Sequence, residues 1–317
     1  MVEEHYRSNM KGLVLKSTGK NYEVKAEDGN VYQCQVRGRL RLKGLVTTNP
    51  VAAGDVVEIE IEEGRQANIK DIQERKNYII RKSVNLSKEA QIVAANIDNA
   101  FLVITTTRPQ TTPGFIDRFL ITAEAYGIPT TLVFHKIDQY SEEELYVVED
   151  LIDCYDKVGY PFLVTSLVNG QNLDVMAEKM KGKVNLLSGH SGTGKSSLVN
   201  HFIPGKDIRI GDISESSNKG QHTTTFAEMH ELPFGGYIVD TPGIKGFGLV
   251  DIPKEEIPNY FIEFFRLLPS CKFSNCKHIN EPGCAVRTAV EKGEVPESRY
   301  RSYISMINDE EERSVYR

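Results

Sequence analysis

Gly189-His190-Ser191-Gly192-Thr193-Gly194-Lys195-Ser196 places glycines, a lysine and a hydroxyl in the spacing G-x-x-x-x-G-K-[ST]. Such a loop curls backbone N–H groups around an anion, and a helix starting at its end adds positive dipole. Lys195 reaches the β and γ phosphates of a nucleotide, the Ser196 hydroxyl ligates Mg²⁺, and Ser197 extends the nucleotide-binding set by one residue. An apolar run at 184–187 and a helical pattern at 195–202 supply the strand-loop-helix context the motif needs. Downstream, apolar 237–239 runs into Asp240-Thr241-Pro242-Gly243, a D-x-x-G in which the carboxylate holds Mg²⁺ through water and the glycine N–H senses the γ phosphate. Between the two, Ser214–Thr225, polar and containing Gly220, has the composition of a mobile switch whose threonine joins Mg²⁺, or of a plain surface loop.

Guanine is read by a carboxylate accepting from its N1 and N2 donors, in an N-K-x-D at a strand end, with a small S-A-like turn one strand later. Nothing of this kind follows Gly243. Upstream, however, 130–134 ends in His135-Lys136-Ile137-Asp138 and 162–164 ends in Thr165-Ser166-Leu167. The order is therefore base, turn, phosphate loop, switch, D-x-x-G, that of a circularly permuted GTPase. His135 stands in place of the asparagine that usually tethers the phosphate-loop strand to the base loop, so nucleotide affinity is what the change puts at stake. Lys136 and Asp138 keep the packing over the base and the main guanine contact. Ile244 occupies the place of the glutamine that orients water in Ras-type enzymes, which predicts slow intrinsic hydrolysis or another group. His222 is the candidate, since a histidine near neutral pKa can polarise water; a bland polar switch histidine is the alternative.

Cys271, Cys276, His278 and Cys284 supply three thiolates and one imidazole within a short span, a soft donor set suited to tetrahedral Zn²⁺. Four protein ligands close the site, so the ion is expected to be structural, with Glu281-Pro282-Gly283 turning the chain back to the fourth ligand. Lys272, Lys277, Arg287, Lys292, Arg299 and Arg301 surround the cluster, an excess of cations that suits an RNA-facing module, although solvated helix faces account for any one of them.

The permuted order, flanked by a small β-rich segment and this cluster, resembles the ribosome small subunit-dependent GTPase A (RsgA) family over nearly the whole chain. The resemblance implies an enzyme that hydrolyses GTP to GDP and phosphate, binds the small ribosomal subunit and its rRNA during late maturation, is activated by it, and leaves upon hydrolysis. It also implies that Thr224 and Thr225 are the switch threonines, with Thr225 on Mg²⁺, and that His222 is the histidine acting in hydrolysis. The same cysteine-histidine pattern stands at this position in the family.

These residues need elements to position them. Short runs at 12–16, 22–25, 31–36, 56–61 and 68–72, punctuated by Asp28-Gly29-Asn30 and Gly54-Asp55, predict a five-stranded OB-like β-barrel. Arg37, Arg39, Arg41 and Lys43 recur with period two, either a face for a phosphate backbone or a charge-protected edge. From 94 to 250 apolar strands alternate with helices, including 115–126 and an acidic helix at 141–157, which predicts a parallel α/β GTPase domain binding its ligand at the strand C-termini. Helices at 255–268 and near 297–307 frame the cysteines, a C-terminal α-helical zinc-binding domain. The expected division is 1–75, 76–250 and 251–317.

A net charge of −6 disfavours a chain that coats nucleic acid with its whole surface, though local patches are unaffected. The first residues contain no apolar h-region and no run is long enough to cross a bilayer, so a cytoplasmic, membrane-free protein is expected; a monomer is expected as well. Two other classes stay open: a non-catalytic, nucleotide-regulated RNA-binding assembly factor, and an ATP-using P-loop kinase. Asp138 separates the last. Asp138→Asn should weaken GTP binding by about 1.5–3 kcal/mol, the worth of charge-assisted hydrogen bonds, and leave an ATP enzyme unaffected; nucleotide titration of the variant distinguishes them.

Overall fold

The computed structural model of the protein describes residues 9–36, 50–62, 65–82, 90–205, 227–240 and 252–308. Five strands come first: β1 (Asn9–Ser17), β2 (Tyr22–Ala26), β3 (Val31–Val36), β4 (Val56–Ile61) and β5 (Gln66–Ile72). Alternation decides their faces; in β2, Tyr22, Val24 and Ala26 are buried and the residues between them only partly so. β1 pairs antiparallel with both β2 and β4, β2 with β3 and β4 with β5, while β3 and β5 run parallel, so the ring closes as the predicted five-stranded barrel. Val14, Val24, Cys34, Val57, Ile59 and Ile69 fill it. The β2–β3 turn forms as read, with Asn30 N donating to Asp28 Oδ1 at 2.9 Å and Gly29 at φ +82°. Arg37, Arg39, Arg41 and Lys43 lie outside the described residues.

A two-stranded antiparallel ribbon follows, β6 (Tyr78–Lys82) and β7 (Ala90–Ala95), which no clean alternation announces. Then come β8 (Asn99–Ile104), α1 (Pro113–Ala125), β9 (Thr130–His135), α2 (Glu142–Val158), β10 (Phe162–Thr165), α3 (Leu173–Met180), β11 (Val184–Ser188), α4 (Lys195–Phe202), β12 (Glu228–Glu231) and β13 (Tyr237–Asp240). The acidic helix α2 is delimited by local chemistry: Ser141 and Glu144 form a reciprocal capping box, and Gly159 at φ +103° ends it. α1 begins with Thr112 accepting from Phe115 N and a proline in the first turn.

Two compact units result. One comprises Met1–Asn99, Ala177–Leu187 and Ser196–Ile244, the other Ala100–Met176, Ser188–Lys195 and Lys245–Arg317. In the second, β8, β9 and β10 run parallel, and every residue of β9 is buried, including Thr130, Thr131 and His135 on either side of its apolar Leu132–Phe134 centre. In the first, β11 and β13 run parallel, whereas β12 pairs antiparallel with β13. That departure from the expected parallel pattern follows from the tight Leu232–Gly236 turn, too short for a crossover. β12 also pairs antiparallel with β1, with Lys16 and Glu228 opposed and ion-paired at 2.7 Å.

The predicted helix at 255–268 is broken into a 3₁₀ turn (Ile257–Tyr260), α5 (Ile262–Leu267) and a second 3₁₀ turn (Leu268–Ser270). Pro258 and Pro269, which cannot donate a backbone hydrogen bond, each open a new short element. α6 (Ala285–Glu291), which the sequence pattern does not reveal, precedes α7 (Glu297–Ile307), which matches its expected span. Ile257, Phe261, Phe264, Val286 and Tyr303 pack with Cys276 and Cys284 into one apolar cluster, joined by Ile121 of α1. Among the described residues, no helix is long and apolar enough to cross a membrane.

Asp55, immediately before β4, is fully buried and accepts from Arg75 Nε and Nη2 at 2.6 Å each and from Ala52 N at 2.8 Å. Arg75→Met should therefore cost about 3–5 kcal/mol by stranding that carboxylate, read as a lower urea midpoint; an unchanged midpoint would count against the pair's importance.

Candidate functional site

The phosphate loop leaves β11 at Ser188 and enters α4 at Lys195. Gly189 sits at φ +143°, and a Cβ there would fall 2.4 Å from the Val103 carbonyl oxygen, so only glycine lets the loop turn so close to β8. The His190 carbonyl accepts from Lys195 Nζ at 2.5 Å and from Thr193 Oγ1 at 2.9 Å, which folds the loop back on itself. Lys195 and Thr193 are buried, while Ser191, Gly192 and Ser197 are exposed and Ser196 is half-buried.

β9 delivers the base motif to this loop. His135 is buried, and its Nδ1 lies 2.9 Å from Thr165 Oγ1 at the end of β10. Burial, with Lys136 beside it, holds its pKa down at about 4, so the imidazole is neutral. A Cβ on Gly194, at φ +101°, would meet His135 Cδ2 at 2.7 Å: the ring lies flush against the phosphate loop. Lys136, in a left-handed conformation at φ +62°, donates from Nζ to the Gly192 carbonyl at 2.6 Å. Asp138 is exposed, and its Oδ1 accepts from Ser166 Oγ at 2.5 Å, while that oxygen accepts from Val168 N at 3.1 Å. The base motif, the Thr165-Ser166 turn and the phosphate loop are thus brought together, with His135 touching both.

Three contributors have no signal in the sequence. Tyr140 accepts from Thr106 N and donates to the His135 carbonyl. Pro109 lies alongside Gly192, 3.4 Å from where its Cβ would be. The Phe115 ring sits 3.8 Å from that of His190. Pro109 and Phe115 come from how the β8–α1 segment meets the phosphate loop, and Tyr140 ties that segment to the end of β9, which no spacing encodes.

Asp240 closes β13, whose parallel register with β11 pairs Val239 with Leu186 and so brings both C-terminal strand ends to one edge. Its Oδ1 is buried without a hydrogen-bond partner among the described residues. Burial and the cross-strand neighbour Glu228 raise the carboxyl to about 6. A carboxylate oxygen left in that state fits a Mg²⁺ site, where the cation would favour ionisation. His222, Thr224, Thr225, Gly243 and Ile244 lie outside the described residues.

The ligand atoms of Cys271, Cys276, His278 and Cys284 all lie within 4.8 Å of one another. His278 Nδ1 is 3.7 Å from Cys271 Sγ and 3.4 Å from Cys284 Sγ. Zn–S and Zn–N bonds of about 2.3 and 2.0 Å at tetrahedral angles give edges of about 3.5 Å, so the donor set is compatible with zinc. Burial pushes the Cys276 thiol up to about 12, so a thiolate there calls for a cation. Ala285 N donates to Cys271 Sγ at 3.3 Å and Arg287 N to Cys284 Sγ at 3.5 Å. The Glu281 carboxylate does more than the turn expected of it, accepting from Lys277 N and Ile279 N at 2.9 Å and Asn280 N at 3.1 Å. Tyr300 of α7 clamps the same stretch by donating to the His278 carbonyl at 2.8 Å.

One surrounding cation corrects an expectation. Arg299 is fully buried and paired with Asp117 and Glu263, so it cannot face RNA; its position on the inner side of α7 outweighs its charge. Arg301 is exposed and paired with Glu297 at 2.7 Å.

Residues 72–250 match the family described as RsgA GTPase, and residues 11–69 that described as RsgA N-terminal domain. The chain is 52% identical over 303 residues, 96% of its own length and 98% of the relative's, to the small ribosomal subunit biogenesis GTPase RsgA of Bacteroides fragilis. It is 52% identical over 306 residues, 96% and 97% of the two lengths, to the protein of the same description from Christiangramia forsetii. Among solved structures, YjeQ from Thermotoga maritima superposes with a TM-score of 0.79 at 36% identity, covering 95% of this chain and 98% of that one. YloQ, a circularly permuted GTPase, gives 0.74 at 27% identity over 98% and 97%.

Loss of the metal should unfold the cluster's surroundings, since binding energy is folding energy in such sites. Chelation, or Cys276→Ser, is expected to lower the thermal midpoint and release about one zinc per chain by elemental analysis; an unchanged midpoint would show that the core holds without it.

Proposed function

The chain belongs to the RsgA GTPase family and is a GTP hydrolase, and on that premise we propose that it hydrolyses GTP under stimulation by the small ribosomal subunit late in that subunit's maturation. The observation that supports this reading is the packing of His135 and Lys136 onto Gly194 and Gly192; Asp138, two residues after Lys136, we read as the guanine carboxylate.

In this reading Asp138 accepts from the guanine N1 and N2 groups, Lys136 covers the base, and His135, Thr165 and Ser166 shape its walls. The glycine-rich loop, with His190, Ser191, Thr193, Ser196 and Ser197, cradles the phosphates, and Lys195 offsets charge that develops between the β and γ groups. Ser196, Thr225 and Asp240, the last through water, would hold Mg²⁺, which supplies charge neutralisation at the phosphates. Thr224 and Gly243 sense the γ phosphate from the switches, and His222 orients the attacking water. Cys271, Cys276, His278 and Cys284 hold one structural Zn²⁺.

The chain is read as three functional parts, 1–75, 76–250 and 251–317, supported by the matched spans 11–69 and 72–250. The barrel and the zinc-binding part are read as gripping rRNA while the central part times release, in a cytoplasmic monomer. The relatives' description as small ribosomal subunit biogenesis GTPases supports the partner.

Phosphate release from GTP by the purified chain, with and without purified small subunits and with Lys195→Ala as blank, tests the proposal. At least about tenfold stimulation is expected, equivalent to 1.4 kcal/mol of barrier. Equal rates with and without subunits, GTP binding being intact, would replace it with a nucleotide-regulated assembly factor.

A further inference from the structure

The chemistry above leaves Arg299 of α7 without a role, although it is fully buried and engages two carboxylates and three aromatic rings. Its Nε and Nη2 donate to Glu263 Oε1 and Oε2 at 2.8 and 3.0 Å, and its Nη1 to Asp117 Oδ1 at 2.7 Å. The guanidinium lies over the Phe261 ring at 4.6 Å and near those of Tyr160 and Tyr155 at 5.7 and 5.9 Å. Asp117 Oδ1 also accepts from Tyr155 OH at 2.9 Å. Two carboxylates and one guanidinium inside an apolar shell gain little stability over hydrophobic replacements, because desolvation cancels most of the attraction. What such a cluster supplies is a unique geometry, and here the geometry concerns α1.

Asp117 belongs to α1. Two residues earlier on the same helix, Phe115 lies against His190 of the phosphate loop, and the His190 carbonyl is the acceptor for Lys195 and Thr193. Four residues after Asp117, Ile121 enters the apolar cluster that contains Cys276 and Cys284. Phe115 to Ile121 spans only about 9 Å of helix, too short to bend between its contacts. One rigid segment thus touches the phosphate loop, the buried ion cluster and the core around the metal ligands.

We propose that α1 is a strut through which the C-terminal module positions the phosphate loop, with Phe115 and Asp117 as positioning residues and Arg299 as the anchor. The inference rests on the proposed function in one respect: it supplies a route by which docking of the module would reach the nucleotide. Displacing α7 shifts Asp117, α1 carries the shift to Phe115, and the His190 carbonyl moves relative to Lys195.

The test is hydrogen exchange of the nucleotide-free full chain, followed in peptides covering 188–196 and 297–307, together with the dissociation rate of a fluorescent GDP analogue. Asp117→Asn and Arg299→Lys are each expected to raise exchange in 188–196 and to speed GDP loss about fivefold or more, the lower end of typical coupling between sites. Phe115→Ala should do the same while leaving 297–307 protected. The double variant Phe115→Ala/Asp117→Asn should be no faster than Phe115→Ala alone, because both cut one connection. Asp117→Asn keeps side-chain size and carries the test if Arg299→Lys fails to fold. Loosening confined to 297–307, or additive effects in the double variant, would overturn the proposal. The exchange arm needs no nucleotide, so a chain that bound no GDP would refute the proposed function while the strut was still tested.

Discussion

The contact on which the structure turns is that of His135 and Lys136 with the phosphate loop. In a permuted chain the base-reading motif precedes the phosphate loop by more than fifty residues, so no local turn can set their separation. It is set by burial. β9 is buried at every residue, its end cannot shift without exposing Leu132, Val133 and Phe134, and the imidazole of its last residue, His135, is neutral and fills the space beside Gly194. Asparagine in this place acts by hydrogen bonding. Here one hydrogen bond to Thr165 is combined with shape, a ring lying where a methyl group on the loop would otherwise be. The substitution that puts nucleotide affinity at stake in the sequence is thereby accommodated by a glycine the phosphate motif already requires.

A second constraint is electrostatic. Carboxylates that the protein buries are held by cations or left for one: Asp55 has Arg75, Asp117 and Glu263 share Arg299, and Asp240 is lifted to about 6 with an oxygen unpartnered among the described residues. The pairs at Arg75 and Arg299 fix geometry. Asp240 is the kind of group that responds to a bound cation, because ionising it without one is costly.

The C-terminal module shows how a small core is made sufficient. α5 and α6 are short, and proline breaks the stretch around α5 into three turns, so regular secondary structure alone would hold little. Stacked and edge-on aromatic rings, a clamp from Tyr300, N–H donors on the sulfurs and a compact set of four ligand atoms tie it together instead. Its core also borrows Ile121 from α1, so its stability is bound up with the element that leads to the phosphate loop.

Chemistry carried by contiguous residues was readable from the chain alone. The phosphate loop, D-x-x-G, the cysteine-histidine spacing and the turn at Asp28-Gly29-Asn30 are local, since each motif works through neighbours a few residues away. Barrel strands and α7 were legible for a related reason: alternation and helical periodicity report burial along one element. Tertiary structure alone decided the rest. Arg299 reads as a surface cation by type and is fully buried by its place on α7. Tyr140, Pro109 and Phe115 carry no motif because their partners lie on other elements. The antiparallel turn of β12 and its pairing with β1 likewise depend on strands far apart in sequence. Spacing records what one segment can do, whereas which segments meet is settled by burying apolar faces together, and that is a property of the whole chain.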